Sequence, residues 1–238
     1  MILVVNTGFS ELNHLAAELA DREMLSVYVR PYANLHRPWE RGLELVPGVG
    51  RIYRRTIGRR TLPAPLRNVH IIEAGLVWDY LMAMHARLPR SVFPFKRARD
   101  SLIYARTNGV ARAAASRLDK ERAVVASWGC AEPVFRKMKG RKGVCILNYP
   151  LAHHRFTRNY LLEEERRTPA FAKTLNSHDW PAWYEERLDR EIELADHILV
   201  GSSFVRDTFI GEGVPPEKIE VVPYGVDSEA FASVVRSD

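Results

Sequence analysis

Seven short apolar runs are spaced along this chain with helical patterns between them, and that alternation limits the folds open to it. The runs fall at residues 2–6, 26–30, 69–72, 123–127, 144–148, 197–201 and 219–222. Most are apolar throughout, as in Ala123-Val124-Val125-Ala126. A strand with one wet face alternates polar and apolar residues, whereas a strand apolar throughout is covered on both faces. Between the first two runs, Leu12, Leu15, Ala16 and Leu19 recur at the helical period. Tyr184, Leu188, Ile192 and Ala195 do the same before the sixth. Further helical patterns occupy 74–88, 96–119, 131–139, 156–173 and 203–211. The predicted fold class is α/β: a doubly wound, mainly parallel Rossmann-like sheet over residues 1–225, with the first strand central or near-central. Residues 31–68, rich in Arg, Pro and Gly, read as irregular.

A chain of 238 residues suffices for one large domain of this kind. No apolar run approaches the ~20 residues of a membrane span. Met1–Asn6 has no basic segment before it and reads as a buried strand, not a leader. The expected location is cytoplasmic. Cys130 and Cys145 lack metal-type spacing, so they read as two buried thiols, and no metal is expected. The formal charge is +6 and unevenly spread. Nine arginines between Arg30 and Arg67 face only Glu40 and Glu44, and ten basic residues lie between Arg87 and Arg122. Such a field suits an anionic partner, either a membrane surface met peripherally or a phosphate-linked substrate, and suits a solvated arginine-rich face equally well. No helix-turn-helix, zinc or RNA-binding signature accompanies it, so no nucleic-acid partner is expected.

In an open parallel sheet, ligands bind beyond the carboxyl ends of the strands. Thr7-Gly8-Phe9-Ser10 follows the first strand, where a glycine lets backbone N–H groups approach a phosphate at a helix N-terminus. Ser10 suits the N-cap. There is no G-x-G-x-x-G, which disfavours a dinucleotide site. Asn148-Tyr149-Pro150-Leu151-Ala152-His153-His154-Arg155 follows the fifth strand, and imidazoles there can bond ligand hydroxyls as donor and acceptor. Trp128 follows the fourth strand and can stack on a ring or pack in the core.

The run Asp196-His197-Ile198-Leu199-Val200-Gly201-Ser202-Ser203, continued through Gly213-Val214-Pro215-Pro216 to Val222-Pro223-Tyr224-Gly225-Val226-Asp227, has a distinctive wording. It resembles the segment that closes the N-terminal domain of family 4 type glycosyltransferases of GT-B fold. Locally the same residues are structural signals. Asp196 ends a helix, Ser202 or Ser203 caps the next, and Gly213, Pro215 and Pro216 stop it. Where that family usually carries a glycine-rich first loop, this chain has Gly8 alone.

The resemblance implies two Rossmann-like domains facing across a cleft. The N-terminal one holds a sugar or lipid-linked acceptor and the C-terminal one holds the nucleotide sugar as co-substrate. Transfer usually retains anomeric configuration and usually needs no metal. Residues 1–225 are then expected to be the acceptor-binding domain. Residues 226–238 would begin a linker to a donor-binding domain outside this chain, which alone would be inactive. The implied catalytic residue is His153 or His154, with Gly8, Phe9, Ser10, Trp128, Asn148 and Arg155 binding substrate. Glu185 and Glu193 match the spacing of the family's E-x7-E motif, but that motif belongs to the other domain, and here they read as a solvated helix face. The competing expectation is a non-catalytic adaptor that binds a glycolipid or membrane surface and recruits a donor-binding chain.

Overall fold

In the computed structural model, which describes residues 1–55, 58, 60–85, 95–175 and 180–225, each of the seven apolar runs overlaps a strand. The strands are β1 (Ile2–Val5), β2 (Leu25–Arg30), β3 (Ile71–Glu73), β4 (Ala123–Ser127), β5 (Val144–Asn148), β6 (His197–Val200) and β7 (Ile219–Val221). They form one sheet in the order β3-β2-β1-β4-β5-β6-β7, and every pairing is parallel. The order reverses between β1 and β4. This switch point opens a crevice at the carboxyl edge of the sheet. Gly8 and His153 follow β1 and β5 and so lie toward that same edge. The expected linker at 226–238 lies outside the described residues.

Both faces of the sheet are covered, which is why its strands do not alternate. Leu3, Val5, Val124, Ala126, Leu147 and Ile198 pack on one side. They meet α5 (Phe95–Arg117), α6 (Glu132–Lys139), α8 (Ala182–Leu194) and α9 (Ser203–Gly211) through Ala114, Phe135, Ile192 and Phe209. Val4, Tyr28 and Val125 point the other way, onto Leu12 and Ala16 of α1 (Ser10–Asp21) and onto Leu62 and Leu66. Full burial of each large apolar side chain stabilises the domain by roughly 1.5–3 kcal/mol. Cys130 and Cys145 are buried free thiols, and burial pushes their pKa values up to about 12 and about 11. No helix among the described residues is long and apolar enough to cross a membrane.

Three local expectations change. The stretch read as irregular contains α2 (Pro38–Leu45) and α3 (Val49–Arg55). Pro38 opens α2, and the Glu40 side chain accepts from the Arg37 backbone N–H. Glu40 is fully buried, and Tyr32 Oη donates to it at 2.6 Å while lying 2.8 Å from Tyr53 Oη. That anchorage is tertiary and leaves no periodic trace. The helix expected over 156–173 is α7 (His154–Arg167), which ends at Thr168 because Pro169 follows. Asp196 does more than end a helix. Its Oδ2 accepts from Cys145 N at 2.8 Å and its own N–H donates to Cys145 O at 2.8 Å, which joins β5 to the start of β6. Ser202 does cap α9, accepting from Val205 N at 3.3 Å.

Candidate functional site

The first wall of the switch-point crevice is built by Asn6, fully buried at the end of β1. Its Oδ1 accepts from Gly8 N and Phe9 N, both at 2.7 Å, and its Nδ2 donates to Phe9 O at 2.8 Å and Tyr28 Oη at 2.7 Å. An Asn side chain that bonds the backbone two residues on makes a tight turn, and Gly8 supplies the φ of 137° that turn needs. Thr7 N donates to Ser127 Oγ at 3.2 Å. The three successive N–H groups of residues 7–9 are thus engaged within the protein. Ser10 is the first residue of α1, whose N-cap is Phe9 with no side-chain cap bond, so Asn6 organises the turn that Ser10 was expected to cap. The strand-end Asn two residues before a glycine was the available signal.

Beyond this turn lies a cleft of about 420 Å3 lined by Thr7, Gly8, Phe9, Arg30, Arg60, Arg106, Trp128 and Tyr184 among others. Arg30 ends β2, Arg60 comes from the loop before β3, and Arg106 comes from α5. Arg106 Nη2 donates to Thr7 O at 2.6 Å, and its Nε lies 2.8 Å from Oδ1 of Asp79 on α4 (Leu76–His85). Arg60 Nη1 holds the other oxygen of the same carboxylate. Burial lowers the Arg106 pKa, the Asp79 charge opposes that shift, and the nearby Arg60 charge adds to it.

The opposite wall carries Trp128 and Tyr184, with ring centroids 6.4 Å apart. Between them in sequence and space sits Gly129 at φ 79°, where a Cβ would overlap the Tyr184 hydroxyl. Glu191 of α8 pins this turn. Its carboxylate, fully buried, accepts from Gly129 N at 2.6 Å, Ala131 N at 2.7 Å and Glu132 N at 3.1 Å. Burial pushes its carboxyl up to about 7, against the lowering effect of those three donors.

A second opening of about 620 Å3 lies between α1 and the ends of β5–β7, lined by Ser10, Glu11, Asn148, Gly201 and Tyr224 among others. Asn148 Nδ2 donates to Glu11 Oε1 at 3.2 Å there. The expected site residues therefore divide. Gly8, Phe9 and Trp128 line the first cleft, and Ser10 and Asn148 line the second.

His153, His154 and Arg155 line neither cleft. His153 is 3% exposed and His154 1%, so the pair is not a polar surface loop. His153 is the N-cap of α7, with Nδ1 accepting from Arg155 N at 3.3 Å. Its ring meets Phe209 edge-on at 5.0 Å and stacks on His154 at 4.4 Å. His154 Nε2 lies 3.1 Å from Asp189 Oδ1, and Arg155 pairs with Asp189 at 2.7 Å. Burial lowers both imidazole pKa values, that of His153 to about 3. A cap that accepts through Nδ1 requires the neutral ring.

This sets the sign of a pH effect. The folded pKa of His153 lies below its ordinary 6.5, so the unfolded chain takes up the proton first and stability is lost as pH falls below 6.5. Asparagine caps helices without titrating. Between pH 7 and pH 5 the wild type should lose about 2 kcal/mol more stability than His153→Asn in urea unfolding. Glu191 titrates in both proteins, so its contribution cancels in the difference. Parallel pH curves would contradict this role for the ring.

A model of glycosyltransferase family 4 matches residues 87–230. No curated protein matches the chain. Among solved structures it is similar to a UDP-glucosyltransferase from Polygonum tinctorium capable of glucosylating indoxyl, at 11% identity and TM-score 0.44, covering 100% of this chain and 55% of that one. It is similar also to Phytolacca americana UGT2 complexed with UDP-2fluoro-glucose and pterostilbene, at 14% identity and TM-score 0.44, covering 94% and 52%. TcCGT1 in complex with UDP matches at 11% identity and TM-score 0.47, covering 97% and 53%. The chain thus spans about half the length of each of these structures.

Proposed function

Because the chain belongs to glycosyltransferase family 4, we propose that it is the acceptor-binding domain of a glycosyltransferase, acting with a donor-binding domain that holds the nucleotide sugar across the carboxyl edge of the sheet. The observation that carries this reading is the switch-point cleft, where Trp128 and Tyr184 face a cluster of arginines. Aromatic rings offer an apolar face to a sugar ring, and guanidinium forks orient its polar groups. The Asn6 turn and the Glu191 pin hold those walls rigidly, which positions an acceptor hydroxyl toward the donor. In transfer, the acceptor oxygen bonds the anomeric carbon as the bond from that carbon to the diphosphate breaks, and the hydroxyl proton leaves with the nucleotide. Retention of configuration is part of the proposal. His153 enters as a positioning residue that seats α7 against Phe209 of α9, and His154 as one that ties α7 to Asp189 of α8, since neither lines the cleft.

The test is a transfer assay with UDP-glucose, UDP-N-acetylglucosamine and GDP-mannose against a panel of glycosides. The 238-residue chain alone should give no transfer. The chain joined to a family 4 donor-binding domain should give turnover. Turnover by the purified chain alone, absent from empty-vector preparations, would overturn the division of labour.

A further inference from the structure

Three arginines meet in the switch-point cleft, and two of them share the carboxylate of Asp79. Asp79 is 2% exposed and divides its two oxygens between Arg60 and Arg106. Arg30 is 5% exposed and is held by neutral oxygens, donating from Nε to Tyr32 O at 2.9 Å and from Nη1 to Asn13 Oδ1 at 3.2 Å. The nearby acid Glu73 is already taken by Ala33 N at 2.7 Å and Arg37 at 2.6 Å. Three cations against one anion leave the cleft a formal charge of +2.

Each guanidinium has five N–H donors. Among the described residues Arg60 spends only Nη1, and Arg106 spends Nε and Nη2. Arg60 Nη2 and Arg106 Nη1 therefore remain for a ligand. Burial also lowers the Arg30 pKa; the Tyr28 hydroxyl opposes that shift and the Arg60 charge adds to it, so like charges crowd this space. A bound anion would relieve that repulsion. The backbone N–H groups of residues 7–9 cannot serve, because Asn6 and Ser127 already occupy them.

We propose that the switch-point cleft binds a phosphate monoester, clamped by Arg60 and Arg106, with the rest of the ligand against Trp128 and Tyr184. A phosphate monoester carries close to −2 at neutral pH, which matches the cleft, and guanidinium forks grip phosphate through paired hydrogen bonds. A volume of about 420 Å3 suits a monosaccharide phosphate. If the cleft is the acceptor site, a reading on which this extension rests, the acceptor is a phosphorylated sugar or polyol, free or as a lipid headgroup.

Calorimetry on the 238-residue chain tests the site without requiring transfer. The probes are glucose 6-phosphate, glucose, and phosphatidylcholine vesicles with and without phosphatidic acid. Either glucose 6-phosphate or the phosphatidic acid vesicles should bind at least tenfold tighter than the matching neutral probe, which also identifies the free or lipid source. Arg60→Ala, at a side chain 32% exposed, should fold and weaken that binding roughly tenfold to a hundredfold. Arg60→Lys tests the fork, because it keeps the charge but should recover only part of the affinity. Arg136→Ala removes the same net charge from an exposed position on α6 and should change nothing. Equal binding of charged and neutral probes, or equal effects of Arg60→Ala and Arg136→Ala, would overturn the phosphate site. If the phosphate probe binds in an Arg60-dependent way yet receives no sugar from the chain joined to a donor-binding domain that is active on other acceptors, the site stands and the acceptor reading fails.

Discussion

Glu191→Ala should lower the unfolding free energy by about 3–5 kcal/mol, a large fraction of what a domain this size has. The carboxylate is fully buried and satisfies three backbone N–H groups of the β4–α6 connection. Alanine leaves Gly129 N and Ala131 N buried without an acceptor, at about 1–3 kcal/mol each. It also opens a cavity under the turn. Arg187, which donates to Asn108 Oδ1 at 2.6 Å and Gly129 O at 3.3 Å, loses the neighbouring negative charge. Glu191→Gln keeps the volume and one acceptor oxygen and should lose less. Urea unfolding at pH 7 separates the variants. A midpoint for Glu191→Ala within experimental error of wild type would mean that the turn holds itself.

Arg106→Lys should lower kcat/KM for sugar transfer by about 10²–10³ when the chain acts with a donor-binding domain, with a much smaller change in stability. Arg106 performs two tasks through separate nitrogens. Nε pairs with Asp79 Oδ1 at 2.8 Å while Nη2 holds Thr7 O at 2.6 Å. An ammonium keeps the charge but presents one nitrogen and cannot span both partners. Either the Thr7–Gly8–Phe9 turn or the Asp79 contact is then released. A loss of 1 Å in register at such a site lowers rate far more than it lowers folding stability. Initial rates at a temperature where both proteins remain folded check the expectation, and an unchanged kcat/KM would remove Arg106 from the site.

The sheet was legible because most of its strands are covered on both faces, so their apolar composition marked them. Trp128, Gly8 and Phe9 were legible for a related reason, since residues just past strand ends in a parallel sheet face the crevice. The arginine cluster was not. Arg30, Arg60, Arg106 and Asp79 come from β2, a loop, α5 and α4. Nothing in sequence distinguishes Arg60 from the eight other arginines between Arg30 and Arg67. Glu191 was partly legible. It sits on the stripe of Leu188, Ile192 and Ala195, where an acid at a buried position demands internal donors. The surroundings of the histidines were not legible, since the burial of His153 depends on Thr208 and Phe209, more than fifty residues away in α9.

The most direct measurement of the acceptor-domain reading is a two-substrate initial-rate analysis of Trp128→Ala in the chain joined to a donor-binding domain. Trp128 lines the switch-point cleft and packs on Tyr149 at 5.3 Å behind it. If the acceptor lies there, the acceptor KM should rise about tenfold as the stacking face is lost, and the nucleotide-sugar KM should stay within twofold of wild type. A rise in the nucleotide-sugar KM with the acceptor KM unchanged would mean that this cleft holds the donor, and would contradict the assignment.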